Sequence, residues 1–187
     1  MQFHIIFGTL SAKFADPYPK PMHRQYSFTD QIIFNIDLGI RTLFTQNDRE
    51  IQRPTPAQDL KESNLSNLEK KHIAGLMRVN HSGEVCAQAL YQGQALTAKL
   101  DEVKNKMAEA AIEEIDHLGW CETRLQDLNA KPSHLNIIWY FMSLTIGATA
   151  GLIGDKWSLG FVVETEKQVT KHLEEHIKQL PKQDLKS

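Results

Sequence analysis

The sequence predicts an all-α protein, a bundle of antiparallel helices. Three observations lead there. Long segments carry apolar residues at helical spacing. No stretch alternates as a half-buried strand would. The breaks between segments are mostly short, which places consecutive helices side by side and antiparallel. The 187 residues are enough for one domain with a core. Hydrophobic residues make up 41% and charged residues 24%, the balance of an ordinary folded chain. A formal net charge of -2 lacks the basic excess of a nucleic-acid binder, so no nucleic-acid partner is expected. Cys86 and Cys121 form neither a CxxC pair nor a disulfide framework, and are read as core residues of a protein in a reducing compartment.

The opening MQFHIIFGTL lacks a basic n-region, and its apolar run is too short for a signal peptide. Residues 1–21, which end in the proline-containing Phe14–Pro21, are read as a disordered extension or the product of a misplaced start. Residues 22–65 form a first unit of one helix and a linker. Phe28, Ile32, Ile36, Ile40 and Leu43 share one face of a helix over Ser27–Phe44, with Ser27 or Thr29 as its cap. That helix is expected to pack on the domain, with an interfacial helix as the alternative. Asn47–Asn67, polar and containing Pro54 and Pro56, reads as the linker.

Residues 66–187 are the bundle proper. Ser66, followed three positions later by Glu69, is a capping box that opens a helix running to about Lys99. A second helix runs from about Asp101 to Asn129, where Lys131-Pro132 ends it. Leu135–Gly154 is twenty residues without a charge, just long enough to cross a bilayer. Asn136, Ser143, two threonines and three glycines weaken that reading. The segment is expected to be partly buried and to lie against a membrane rather than span it, and Gly147-x-x-x-Gly151 permits a close helix contact. Trp157 to about Gln179 is the last helix, followed by Pro181.

The chemistry concentrates in A-I-E-E-I-D-H-L-G-W at 111–120. Glu114 and His117 are three apart and share a helix face. Lys99, at the turn, is midway between residues 84 and 114, so Glu84 lies level with Glu114 and His117. The neighbours of Glu84 are small or apolar, and a carboxylate there is costly unless it is paired or metal-bound. One Glu from a helix and a Glu-x-x-His from its neighbour make half of a carboxylate-bridged dinuclear site, which a second helix pair completes. Carboxylates can bridge two irons, and one imidazole per iron leaves open positions for O₂. Glu164, Glu166 and His172 on the last helix are candidates for the third contribution. A second Glu-x-x-His at matching spacing would fall near position 196, past residue 187. Glu69-Lys-Lys-His72 lies about 22 Å before Glu84 along the helix and reads as a solvated helix start. The plainer readings are a Glu84–Arg78 pair, a structural His81, a solvated Glu113 and Asp116, and a solvated end over 171–187. Tyr91 shares the face of Glu84, and its role is open between the site and the core.

R-V-N-H-S-G-E at 78–84, E-I-D-H-L at 114–118, L-N-I-I-W-Y at 135–140 and G-D-K-W-S-L-G-F-V-V-E-T-E at 154–166 closely resemble the demethoxyubiquinone hydroxylase family, di-iron monooxygenases of ubiquinone biosynthesis. The resemblance covers about residues 22–187. It implies a ferritin-like bundle, here C-terminally truncated, since the family's final helix with the second Glu-x-x-His is not reached. It implies hydroxylation of a polyprenyl demethoxy-benzoquinol, 3-demethoxyubiquinol, with O₂. It implies two Fe ions, the second site being incomplete in this chain. It matches Glu84, Glu114, His117 and Glu166 to iron ligands, with Glu114 bridging, and selects Glu166 over Glu164. His172 matches a histidine near the site, with an outer or proton-relay role. The implied partners are the quinol, O₂, the membrane surface and either a second copy or a ubiquinone-biosynthetic assembly. The implied location is peripheral, on the cytoplasmic side of the cell inner membrane. The alternative is a noncatalytic quinone- or lipid-binding member of such an assembly, inactive for want of the last metal-binding helix. An iron store would use the same ligands but has no use for a long uncharged helix.

Overall fold

A computed structural model describes residues 27–44, 49 and 51–187. The expectation for residues 1–21 lies outside the described residues. Five helices follow one another: α1 (Phe28–Phe44), α2 (Asn67–Thr97), α3 (Asp101–Asp127), α4 (Asn136–Ile153) and α5 (Asp155–Gln179). There is no strand among the described residues.

Local chemistry sets the helix ends. Ser27 caps α1: its Oγ accepts from the Asp30 amide at 3.2 Å, and the Asp30 carboxylate accepts from the Ser27 amide at 2.9 Å. Ser66 and Glu69 form the full capping box of α2. The turn after α2 is closed by Asp155, whose carboxylate accepts from the amides of Lys99 and Leu100 at 3.0 and 2.9 Å. α3 stops two residues before the expected Asn129. Asn129 takes a left-handed conformation, φ 54°, and the Ala130 amide folds back onto the Leu125 carbonyl at 2.8 Å. That closing turn ends the helix ahead of Lys131-Pro132.

α2 is the hub. α3 runs antiparallel to it, as His81 meets Glu122 near one end and Glu84 meets His117 further along. α5 also runs antiparallel to α2, with Gln94 against Ser158 and His72 against Gln179. α4 runs parallel to α2 and carries the chain back between α3 and α5, the one long crossover of a ferritin-like bundle. α2 and α4 approach closely because of glycines. A Cβ at Gly93 would strike the Leu144 carbonyl, and one at Gly147 would strike the Leu90 carbonyl. Thr97 occupies the space a Cβ at Gly151 would need.

The core runs along the α2–α3 seam. Ile73, Ala74 and Met77 pack on Cys121 and Leu125 at one end. Leu90 and Tyr91 pack on Val103, Met107, Ala110 and Ala111 at the other, where Val162 of α5 joins them. Each of the larger aliphatic side chains among them contributes about 1.5–3 kcal/mol on burial.

α1 departs from expectation. It touches the bundle through Asn35, Gly39 and Thr42, whose partners are Gln92, Tyr140 and Arg49. Leu43 packs beside them. Ile32, Ile36 and Ile40, expected to be the packing face, are exposed, as are Ile33 and Phe34 at 65% and 66%. Polar and small residues make the protein contact because the groove beside Tyr140 and Gln92 offers hydrogen bonds and no space for a branched side chain. α4 is exposed in the same way along Ile137, Ile138, Phe141, Met142 and Ile146. Among the described residues it is the helix long and apolar enough to cross a membrane.

Candidate metal centre

Three helices bring acids to one place. α2 supplies Glu84, α3 supplies Glu114 and His117, and α5 supplies Glu166. Donor atoms of Glu84, Glu114 and His117 all lie within 4.8 Å of one another. His117 Nδ1 is 2.8 Å from Glu114 Oε2 and 3.8 Å from Glu84 Oε2. Glu166 Oε1 accepts a short hydrogen bond from the Tyr91 hydroxyl, which fixes its carboxylate toward the interior. Glu164, two residues earlier, is exposed and accepts only from Gln168 Nε2 at 3.2 Å. Helix geometry therefore separates the two acids that the sequence left as alternatives.

The cluster is electrostatically strained without a cation. Burial pushes the Glu84 carboxyl well above its ordinary range, and the charge of Glu114, a hydrogen bond with it and the charge of Glu166 push it further. Burial also raises Glu166; the Tyr91 hydrogen bond opposes this, while Glu114 adds to it. The Tyr91 hydroxyl is held protonated by its burial and by Glu166. Carboxylates gathered in a low-dielectric pocket repel one another, and either protons or a metal ion must neutralise them.

A strap formed by Arg49 and residues 51–53 lies over the same part of α3. Arg49 grips Glu122 through Nε at 3.1 Å and Nη2 at 2.9 Å, and also reaches the Thr42 carbonyl at 3.3 Å. The Gln52 amide and Arg53 Nε both donate to Asp116 at 2.7 Å. The Arg53 guanidinium sits 5.4 Å above the Trp120 ring, and Trp120 lies 5.1 Å from the His117 ring. The strap thus seats the helix turn that carries His117. Asp116, expected on the solvated side, is 3% exposed; its partners come from a linker whose sequence carries no periodic signal. Glu113 is exposed, as expected. Glu122 was not singled out by sequence, although an acid between Cys121 and Leu125 was a usable signal.

His81 has the structural role expected of it. Its Nδ1 accepts from Asn136 Nδ2 at 3.1 Å, which leaves Nε2 to donate to Glu122 at 3.2 Å. Ser82 Oγ donates to Asn136 Oδ1 at 2.7 Å, so α4 is tied to the same network. Arg78, weighed as a partner for Glu84, donates instead to the Lys131 carbonyl at 2.9 Å. Cys121 is buried and Cys86 half-buried; burial raises both thiols.

His172 does not join the carboxylates. It is exposed, and its ring stands against His176 at 3.9 Å. His176 is buried and kept toward its neutral form by burial and by His172. Residues 171–187 are less solvated than expected, since Asp184 is buried in an ion pair with Arg124 at 3.0 Å. Glu69 stays in the capping box, and His72 Nε2 lies 3.1 Å from the Gln179 carbonyl, far from the cluster.

Comparison with known proteins identifies the family. Residues 71–187 match the family model described as ubiquinone biosynthesis protein COQ7. A 3-demethoxyubiquinol 3-hydroxylase of Legionella pneumophila (strain Corby) is 58% identical over 164 residues, 88% of this chain and 77% of that protein. Proteins of the same name from Azotobacter vinelandii and Acinetobacter baumannii are each 56% identical over 88% of this chain, which spans 76% and 77% of them. No solved structure matches the chain. This helical bundle, matched over most of its length at this identity, belongs to the COQ7 family of ubiquinone-biosynthesis proteins.

Proposed function

We propose that this chain is a 3-demethoxyubiquinol 3-hydroxylase, a monooxygenase of ubiquinone biosynthesis. It uses O₂ and a polyprenyl quinol at a carboxylate-bridged iron centre. The observation that carries the reading is the convergence of Glu84, Glu114 and His117 donor atoms within 4.8 Å, with the Glu166 carboxylate beside them. Oxygen and imidazole donors suit iron, and the mutual repulsion of the buried carboxylates is what a cation relieves. The donor set therefore fits the group that the family implies. Glu84, Glu114, His117 and Glu166 would hold the iron.

Iron held there supplies the activation of O₂. The remaining work belongs to the protein. Tyr91 fixes the Glu166 carboxylate and keeps a proton on its own hydroxyl. The strap, through Arg53 and Trp120, orients His117. Leu118, Val85 and Ala111, all buried, keep bulk water from that side of the cluster. The exposed apolar faces of α1 and α4 rest on the cytoplasmic side of the inner membrane, where a polyprenyl tail resides, so the quinol ring reaches the bundle without leaving the lipid.

The test is the quinone profile of a bacterium lacking its own hydroxylase. Cells expressing the chain should convert the accumulated demethoxyubiquinone into ubiquinone, and cells expressing Glu114→Ala should not. Equal profiles with the two proteins, both present in soluble or membrane fractions, would refute the proposal.

A further inference from the structure

Gln88 is completely buried, 0% exposed, and neither its Nε2 nor its Oε1 has a hydrogen-bond partner. Among the described residues no other buried side-chain amide has both atoms without a partner; Gln94, for comparison, donates through Nε2 to the Ser158 carbonyl at 2.9 Å. Buried polar groups in folded proteins are almost always satisfied, by protein, by ordered water or by a ligand. An amide with a free donor and a free acceptor therefore marks a place where something polar sits.

Its position says what that is. At 3.6 residues per turn, Gln88 stands one turn beyond Glu84 and one turn before Tyr91, on the same face of α2. Both neighbours reach the carboxylate cluster, Glu84 directly and Tyr91 through Glu166. The register that pairs Glu84 with Glu114 puts Ala110 and Ala111 level with Gln88 on α3, and both are buried alanines. Small side chains opposite an unpartnered amide leave room for one solvent molecule. A neutral amide is also the group that suits this position. It contributes hydrogen bonds without adding a fourth negative charge, and without a cation that would compete with metal.

We propose that Gln88 holds a buried water against the carboxylates of Glu84 and Glu114, and so fixes the direction in which they point. The Gln88 Nε2–H donates to the water oxygen, and the water donates to carboxylate oxygens. Gln88 is thus a positioning residue for the metal ligands. This rests on the reading of the cluster as a metal centre.

The experiment is a Co(II) titration of the full chain, followed by the absorption of the bound ion, with metal-free melting temperatures measured alongside. The parent should bind Co(II) and His117→Ala should lose it; failure of the parent to bind removes the metal-centre reading and this proposal together. Gln88→Met, nearly equal in volume, should keep the parent's metal-free Tm or exceed it, weaken Co(II) about tenfold or more, and change the absorption envelope. Co(II) affinity within twofold of the parent and an unchanged envelope would overturn the role of Gln88 while leaving the metal centre standing. A fall in metal-free Tm in both Gln88→Met and Gln88→Leu, in step with the affinity, would equally overturn it, because Gln88 would then be a packing residue.

Discussion

Glu84 sits among Gly83, Val85 and Ala87 with its carboxyl pushed well above the ordinary range by burial, by Glu114 and by Glu166. The folded, metal-free protein therefore holds a proton there that the unfolded chain releases near the usual value of about 4.3. Stability from this group is fully present below that value and is lost as pH rises through the raised one. One such proton changes stability by at most about 1.4 kcal/mol per pH unit in that window. Glu84→Gln, which carries no charge at any pH, should flatten the decline in metal-free Tm as pH rises above the ordinary carboxylate range. Parallel curves for parent and variant would show that Glu84 is not strained. Metal takes the proton's place, so metal affinity should rise with pH over the same window. The position of Glu84 beside Glu114 was legible in the sequence, because a tight hairpin turns residue spacing into height. The Tyr91–Glu166 contact was not: ligand-facing and core-facing residues share one face of α2, and only the placement of α5 distinguishes them.

At the level of the helices, two features have direct consequences. The close seam of α2 and α4 depends on Gly93 and Gly147, each facing a backbone carbonyl of the other helix. Gly147→Ala should push the helices apart and cost about 1–3 kcal/mol, the usual penalty of overpacking, or roughly 2–12 °C in Tm for a chain of this size. A melting curve unchanged within a degree would mean that the helices are not so close. The Gly147-x-x-x-Gly151 spacing announced this contact, though not its partner. The second feature is the exposed apolar face that α1 and α4 each carry. Periodicity revealed the stripe of Ile32, Ile36 and Ile40 but could not say whether protein or lipid would meet it. The polar contacts of Asn35 and Thr42 with the bundle decide that the stripe turns outward. The chain should co-sediment with phosphatidylethanolamine–phosphatidylglycerol vesicles. Ile36→Glu combined with Phe141→Glu should reduce the bound fraction at least tenfold, since each large apolar side chain contributes about 1.5–3 kcal/mol when buried. Undiminished binding by the double variant would place the lipid contact elsewhere.

Across the whole molecule, the arrangement joins a seam that carries the candidate metal ligands to an apolar exterior. α2 is common to both: it carries Glu84 toward α3 and Gly93 toward α4. The strap and the His81–Glu122–Arg49 network tie the end of α1, the start of α4 and the His117 turn of α3 into one unit. The helices and the near half of the site could be read from capping residues, turn spacing and short motifs. The strap could not, because Arg49 and Arg53 lie in a linker without periodicity, and their buried partners Glu122 and Asp116 resemble surface acids until the linker is folded onto them. The most direct test of the account is iron bound per chain, measured on protein purified anaerobically under reducing conditions, for the parent, Glu114→Ala, His117→Ala and the exposed control Glu113→Ala. Iron should be present in the parent and the control, and lost in both Glu114→Ala and His117→Ala while the helical content stays the same. Iron retained by those two variants, or none in the correctly folded parent, would contradict the metal-centre reading.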